Sequence, residues 1–433
     1  MACPSAEIES MFGWLRMRKN QLPVNEYLIR QDARGSGVPV SWTKAQLEST
    51  LKRLSQPFFN FTGFRFNSVR QGRTRGLIAC TALIGLLFGC ASLPEAPENQ
   101  CQRIPVGPGP EDFALDLSGG PGSPRILVSS HERREWQPGE IFEVDLDPGS
   151  GYAAQALPRR GEPEGLFFAP HGMDVREVDG QHLLYVISHG SDEVDGAQHI
   201  LVYRILPEAL DYLGSVASEF FFSPNDLAID ATGSFYVSND SRNRGSLMEM
   251  ALSLSWSSVV HCKASSIQPG PLAAPASTRE DCILAAEELA SANGVAIQRS
   301  PDGKGDSGTV FVSTSRGNSL YVFHRDDSGR LVDRKRIFEA PILDNLFFVG
   351  HGQKLLVASH PSALAFLRHV SNGSNESPSV IYSVQIDSGA AEAVYANSGK
   401  ELSAASGAFI YKEQLFISQV FEPFLLRCQL PGQ

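Results

Sequence analysis

Six copies of one short pattern constrain this chain more than anything else in it. They are Ile126-Leu-Val-Ser-Ser-His131, Leu184-Tyr-Val-Ile-Ser-His189, Phe235-Tyr-Val-Ser-Asn-Asp240, Val310-Phe-Val-Ser-Thr-Ser315, Leu355-Leu-Val-Ala-Ser-His360 and Leu415-Phe-Ile-Ser-Gln-Val420. Each reads as a short β-strand. Their third residues fall at 128, 186, 237, 312, 357 and 417, so the steps run from 45 to 75 residues. A four-stranded propeller blade with its loops takes about 40–50 residues. The expected fold is therefore all-β, a six-bladed β-propeller. Runs such as Ile141–Leu146, Ile200–Ile205, Ser319–His324 and Val380–Ile386 supply further strands.

Ahead of each copy stands a polar pair followed by alternating apolar residues. The pairs are Glu111-Asp112, His171-Gly172, Asn225-Asp226, Asn293-Gly294, Asp344-Asn345 and Ser406-Gly407. If these open the innermost strands, six blades point them at one axis. Glu111, Asp112, Asn225, Asp226, Asn293, Asp344 and Asn345 then meet in a central channel. Their donor atoms are carboxylate and amide oxygens, the hard ligands that Ca²⁺ takes six to eight at a time. Thiolate and clustered imidazole, which transition metals favour, are missing. Four carboxylates crowded together would repel one another without a cation. A bound Ca²⁺ polarises a carbonyl, and a histidine supplies the base. His171, His189 and His360 fall at repeat positions. His131 also ends a copy, so the ending alone assigns no role.

The N-terminal segment differs from the rest of the chain. Residues 1–89 carry 12 Lys/Arg against 5 Asp/Glu, which leaves 25 against 43 in the remainder. So acidic a body argues against nucleic-acid binding. Residues 1–68 lack strand alternation and read as an extension, upstream sequence outside the mature protein. Residues 69–89 combine Arg70-Gln-Gly-Arg-Thr-Arg75 with an apolar run and read as an export signal. Leu87-Phe-Gly-Cys90 resembles a bacterial lipobox, which makes Cys90 the lipidation residue and the membrane, reached through an N-terminal lipid anchor, a partner. Residues 90–100 are a Pro/Glu/Ala-rich tether, and 101–433 form the propeller.

Seven cysteines are present; Cys3 and Cys80 precede the body, and Cys90 is the lipid site. Cys101, Cys262, Cys282 and Cys428 remain, an even number that suits two bridges in an exported body. Three pairings are open. Joining Cys101 to Cys428 ties the ends of a closed ring, and Cys262 with Cys282 clips the loop between them.

The motifs Gly109-Pro-Glu-Asp-Phe113, Ala169-Pro-His-Gly-Met173, Ser223-Pro-Asn-Asp-Leu227, Ala292-Asn-Gly-Val295, Leu343-Asp-Asn-Leu346 and Ser359-His-Pro361 together resemble the paraoxonase/arylesterase family. The resemblance runs in order from residue 101 to 428. It implies a six-bladed propeller with two Ca²⁺ in the channel, hydrolysing lactones and aryl esters. It implies a catalytic Ca²⁺ on Glu111, Asn225, Asn293, Asp344 and Asn345, and a structural Ca²⁺ on Asp112, Asp226 and the backbone carbonyl of Met173. It makes His171 and His189 a base dyad, places His360 in the substrate pocket, and pairs Cys101 with Cys428. This chain departs from the animal enzymes at Asn239-Asp-Ser241, where they carry a His after the Asp, and in the insertion Lys263–Glu280. A gluconolactonase-like sugar-lactone hydrolase with one metal, or a non-catalytic binding propeller, are the alternative expectations.

Overall fold

The structure, a computed structural model, describes residues 93–430 apart from 99, 121–122, 193–195, 247, 250–251, 276–280, 301–304 and 351. The extension 1–68, the export signal 69–89 and the lipidation residue Cys90 lie outside the described residues.

Six antiparallel sheets follow one another around a ring. Their innermost strands are Pro110–Asp116, Ala169–Val178, Pro224–Ile229, Ala292–Arg299, Leu343–Val349 and Ala405–Tyr411. We number the blades 1 to 6 in that order. The six sequence copies are the second strands of the six blades, as expected. Blade 2 gains a fifth strand, Arg159–Arg160, parallel to Ala209–Val216.

The ring closes through the sixth blade. Three of its strands come from the C-terminal end, and the outermost is Gln100–Pro105. That strand pairs antiparallel with Phe424–Gln429, and Cys101 faces Cys428 across the ladder. The two are bridged, with Cα atoms 4.0 Å apart. A link across 327 residues contributes on the order of 2–5 kcal/mol, chiefly by restricting the unfolded chain. Cys262 and Cys282 are also bridged, across the two outer strands of blade 3.

Apolar side chains fill the seams between blades. Tyr185, Ile187 and Val202 of blade 2 pack with Leu227, Phe235 and Val260 of blade 3. The last seam joins Phe409 and Phe416 of blade 6 to Phe113 and Val128 of blade 1, with Ile104 of the N-terminal strand in the same cluster. Second strands are buried on both faces because each lies between two neighbouring sheets, which is why they read as unbroken apolar runs.

One short helix, Ala363–Ser371, had no signal in the sequence reading. Ser362 caps it by accepting from the Ala365 N–H at 3.2 Å.

Candidate active site and metal centre

Each innermost strand carries a register shift at its polar pair. The shifts lie between Pro110 and Asp112, Pro170 and Met173, Pro224 and Leu227, Ala292 and Val295, Leu343 and Leu346, and Ala405 and Ala408. A bulge sets an extra residue against its partner strand and re-aims side chains. Here it occurs six times at the same level, around the channel.

The serines of the sequence copies hold these bulges. Ser313 Oγ accepts from the Gly294 N–H at 2.8 Å and donates to the Asp344 carbonyl at 2.7 Å. Ser238 Oγ accepts from the Asp226 N–H at 3.0 Å and donates to the Asn293 carbonyl. Each hydroxyl thus satisfies its own blade's bulge and fastens the next blade's. Two glycines permit the close approach. A Cβ on Gly172 would lie 2.4 Å from the Asn225 carbonyl oxygen, and one on Gly294 would lie 2.8 Å from Asn345 Cα.

The second strands end beside the starts of the inner strands, for example Ser130 against Pro110 and His189 against Ala169. The polar pairs therefore share one end of the channel. The upper tier holds Glu111, His171, Asn225, Asn293, Asp344 and Asn345. Asn345 Nδ2 donates to Glu111 Oε1 at 3.3 Å, linking blade 5 to blade 1. Asn293 Nδ2 donates to Ser315 Oγ at 3.1 Å. Those bonds leave amide oxygens free. Glu111 Oε2, Asn225 Oδ1, Asn293 Oδ1 and Asn345 Oδ1 are all buried without a hydrogen-bond partner. Burying an unpaired oxygen is costly, so the three amide oxygens in one tier need a common explanation. A hard cation would supply it, and this donor set fits Ca²⁺. Among the described residues no group of three or more His, Cys, Asp and Glu is arranged for a metal, so any site here depends on the amides.

The lower tier differs. Asp112 Oδ1 accepts from the Phe113 N–H at 2.8 Å and Oδ2 from the Met173 N–H at 2.7 Å. Asp226 accepts in the same way from Leu227 at 2.7 Å and Val295 at 2.8 Å. Both carboxylates therefore stitch their blade to the next, as Asp174 does with Ile229. Burial pushes Asp112 well above the usual carboxylate range, and the neighbouring Asp226 and Glu111 charges push it further. Asp226 is likewise pushed well up, first by burial. Below this tier lies a cavity of about 500 Å³ lined by Phe113, Val175, Leu227, Phe347 and Phe409 among others.

The histidines form a directed relay. Gln198 Nε2 donates to the Gly196 carbonyl at 2.5 Å, which turns Gln198 Oε1 to His189 Nδ1, also 2.5 Å away. An amide oxygen only accepts, so His189 Nδ1 carries the hydrogen and its Nε2 accepts. His171 Nδ1, 2.7 Å from that Nε2, donates to it. His171 Nε2 faces the channel, 3.5 Å from Glu111 Oε2. Burial, with the Arg244 charge next in weight, holds His189 well below the usual imidazole range. Burial raises Glu111, but His171, Arg133 and Asn345 outweigh it and leave the carboxyl below its ordinary value.

His360 is fully buried. Its Nε2 lies 3.0 Å from Asp344 Oδ2 and its ring packs 4.3 Å from Phe366. It thus reaches the site through Asp344, from behind. At the blade-3 departure, Asn239 is structural. Its Oδ1 accepts from the Ser223 N–H at 3.0 Å, and its Nδ2 donates to the Phe220 carbonyl at 3.0 Å. Two residues were missed in the sequence. Gln198 gave no signal, while Arg133 lies two residues past the end of a strand copy in His131-Glu-Arg-Arg-Glu-Trp136.

A closed six-bladed ring, with a histidine relay beside orphaned hard oxygens, defines a propeller with a polar site at one end of its channel. The comparisons give the family. The Arylesterase family description matches residues 131–430, and the chain belongs to that family. Serum paraoxonase/lactonase 3 of Homo sapiens is 26% identical over 354 residues, covering 78% of this chain and 90% of the relative. Serum paraoxonase/arylesterase 1 of Rattus norvegicus is 25% identical over 292 residues, covering 66% and 75%. Serum paraoxonase/arylesterase 2 of Bos taurus is 25% identical over 299 residues, covering 68% and 77%.

Proposed function

We propose that this chain is a calcium-dependent hydrolase of lactones or aryl esters and that the upper tier is its active site. The observation that carries the reading is the set of three unpartnered amide oxygens beside Glu111 and a histidine relay whose outer nitrogen, His171 Nε2, faces the channel. The names of the relatives, lactonase and arylesterase, agree with it.

Glu111, Asn225, Asn293, Asp344 and Asn345 would hold one Ca²⁺. Asp112, Asp226 and the Met173 carbonyl are the candidates for a second, favoured by the repulsion between the two aspartates. Bound in the upper tier, Ca²⁺ supplies a Lewis acid for the substrate carbonyl. His171 Nε2 takes a proton from water. The imidazolium so formed keeps its Nδ1–H bond to His189 and faces Glu111 Oε2 at 3.5 Å, which stabilises the new charge. Gln198 fixes the tautomer of the relay, and His360 orients Asp344.

Hydrolysis of a panel of simple lactones and phenyl esters, before and after thorough chelation, tests this reading. Activity is expected to vanish with chelator and return with Ca²⁺, at two ions per chain by elemental analysis. Undiminished hydrolysis after chelation overturns the metal mechanism. Neither metal nor hydrolysis would make the chain a binding propeller.

We also propose that the protein is exported and held on a membrane through a lipid on Cys90. Two disulfides in the body agree with an oxidising compartment. The intact mass of protein extracted from membranes should equal an acylated chain starting at Cys90. A product that retains residues 1–68 overturns this.

A further inference from the structure

The second strand of blade 1 ends at Ser130, beside Pro110. The run that follows, His131–Trp136, therefore leaves from the same end of the channel as the upper tier. Two anchors fix its course. Trp136 Nε1 donates to the Gly190 carbonyl at 3.1 Å, and its ring meets His131 edge-on at 4.8 Å. Arg134 lies 4.0 Å over the Phe421 ring and donates to the His369 carbonyl at 3.1 Å.

Between these anchors Arg133 turns inward. Its side chain is 11% exposed, with Nη2 3.6 Å from Glu111 Oε2. That distance is beyond a hydrogen bond. Nε and Nη2 are both buried and have no hydrogen-bond partner. A residue that merely balances a buried charge is bonded more closely. Arg176, 6% exposed, donates to Asp306 at 3.0 Å, and Arg325 reaches Asp230 at 2.6 Å. Arg133 keeps two donors in reserve. Nε and one Nη form the edge of a guanidinium that matches a carboxylate in two parallel bonds. The same Glu111 oxygen lies near Arg133 Nη2 and His171 Nε2, so a group bound to Arg133 sits close to the base.

We propose that Arg133 is a specificity-determining residue whose Nε and Nη2 receive a carboxylate on the substrate. The preferred lactones or esters then carry a negative charge close to the scissile carbonyl. This rests on the hydrolase reading and narrows its substrate class.

The test pairs two rings, a γ-butyrolactone bearing a carboxylate beside the ring carbonyl and the same ring bearing a carboxamide. Wild type should favour the carboxylate by about tenfold or more in kcat/KM. Arg133→Gln should lose about tenfold on the carboxylate and less than about threefold on the carboxamide, with Arg133→Lys between. A wild type that favours the carboxamide overturns the proposal, as do equal losses on both rings. Titration calorimetry with cyclopentanecarboxylate gives a second readout that needs no turnover. Its dissociation constant should weaken about tenfold in Arg133→Gln. If that variant does not fold, the wild-type preference and Arg133→Lys decide. Absent hydrolysis with intact, Arg133-dependent binding would remove the hydrolase reading alone. Hydrolysis and binding both indifferent to Arg133 would remove this inference alone.

Discussion

Glu111→Gln is expected to lower hydrolysis of every substrate by at least about 10²-fold and to cost up to roughly 3–5 kcal/mol of stability. Its groups join several parts of the channel. Its Oε1 accepts from Asn345, its Oε2 lies 3.5 Å from His171 and 3.6 Å from Arg133, and its backbone carbonyl accepts from Ser406. Glutamine keeps the shape and removes the charge. The buried Arg133 then loses the carboxylate that acts on it most strongly, and the imidazolium of His171 loses its support. The orphaned-oxygen tier also loses a carboxylate, which weakens cation binding. Denaturant midpoints and kcat/KM in saturating Ca²⁺ measure the two effects separately. A variant with unchanged midpoint and unchanged rate would show that Glu111 is only channel lining.

The second large effect is specific to rate. His171→Gln should reduce kcat/KM by about 10²–10⁴-fold, the usual contribution of a general base, while the folded state survives. Glutamine can still donate toward His189 but offers no basic lone pair. Because the two histidines act as one relay, the double change His171→Gln with His189→Gln should be little worse than His171→Gln alone. Losses that multiply would mean two independent contributions. A loss below tenfold at His171 would move the base elsewhere.

Much of the fold was legible because it is written six times. Ile126–His131 and its five relatives are recognisable one by one only weakly, but at recurring spacing they count the blades. The polar pairs were legible as inner-strand starts for the same reason. What the repeat does not encode is which way a side chain turns. Ser238 and Ser313 looked like ordinary strand residues, yet they hold the bulges that aim Asn293 and Asp344. His360, expected in the substrate pocket, contacts Asp344 at 3.0 Å, a pairing that no spacing announces. Gln198 fixes a tautomer from a loop with no pattern of its own, and Arg133 acquires its place only because Trp136 and Arg134 pin the chain on either side. Such contacts join segments that no spacing relates, so periodicity is silent about them.

The bridge at Cys101 also has a mechanical meaning. The first strand lies on the outer edge of blade 6, and its second residue is covalently joined to Cys428. Any pull on the chain ahead of residue 100 passes through that bond into the third strand of the blade. The ladder from Gln102 to Pro105 then carries no load, so the ring cannot be peeled open one hydrogen bond at a time from that end. Reduction would turn the same edge into a zip fastener.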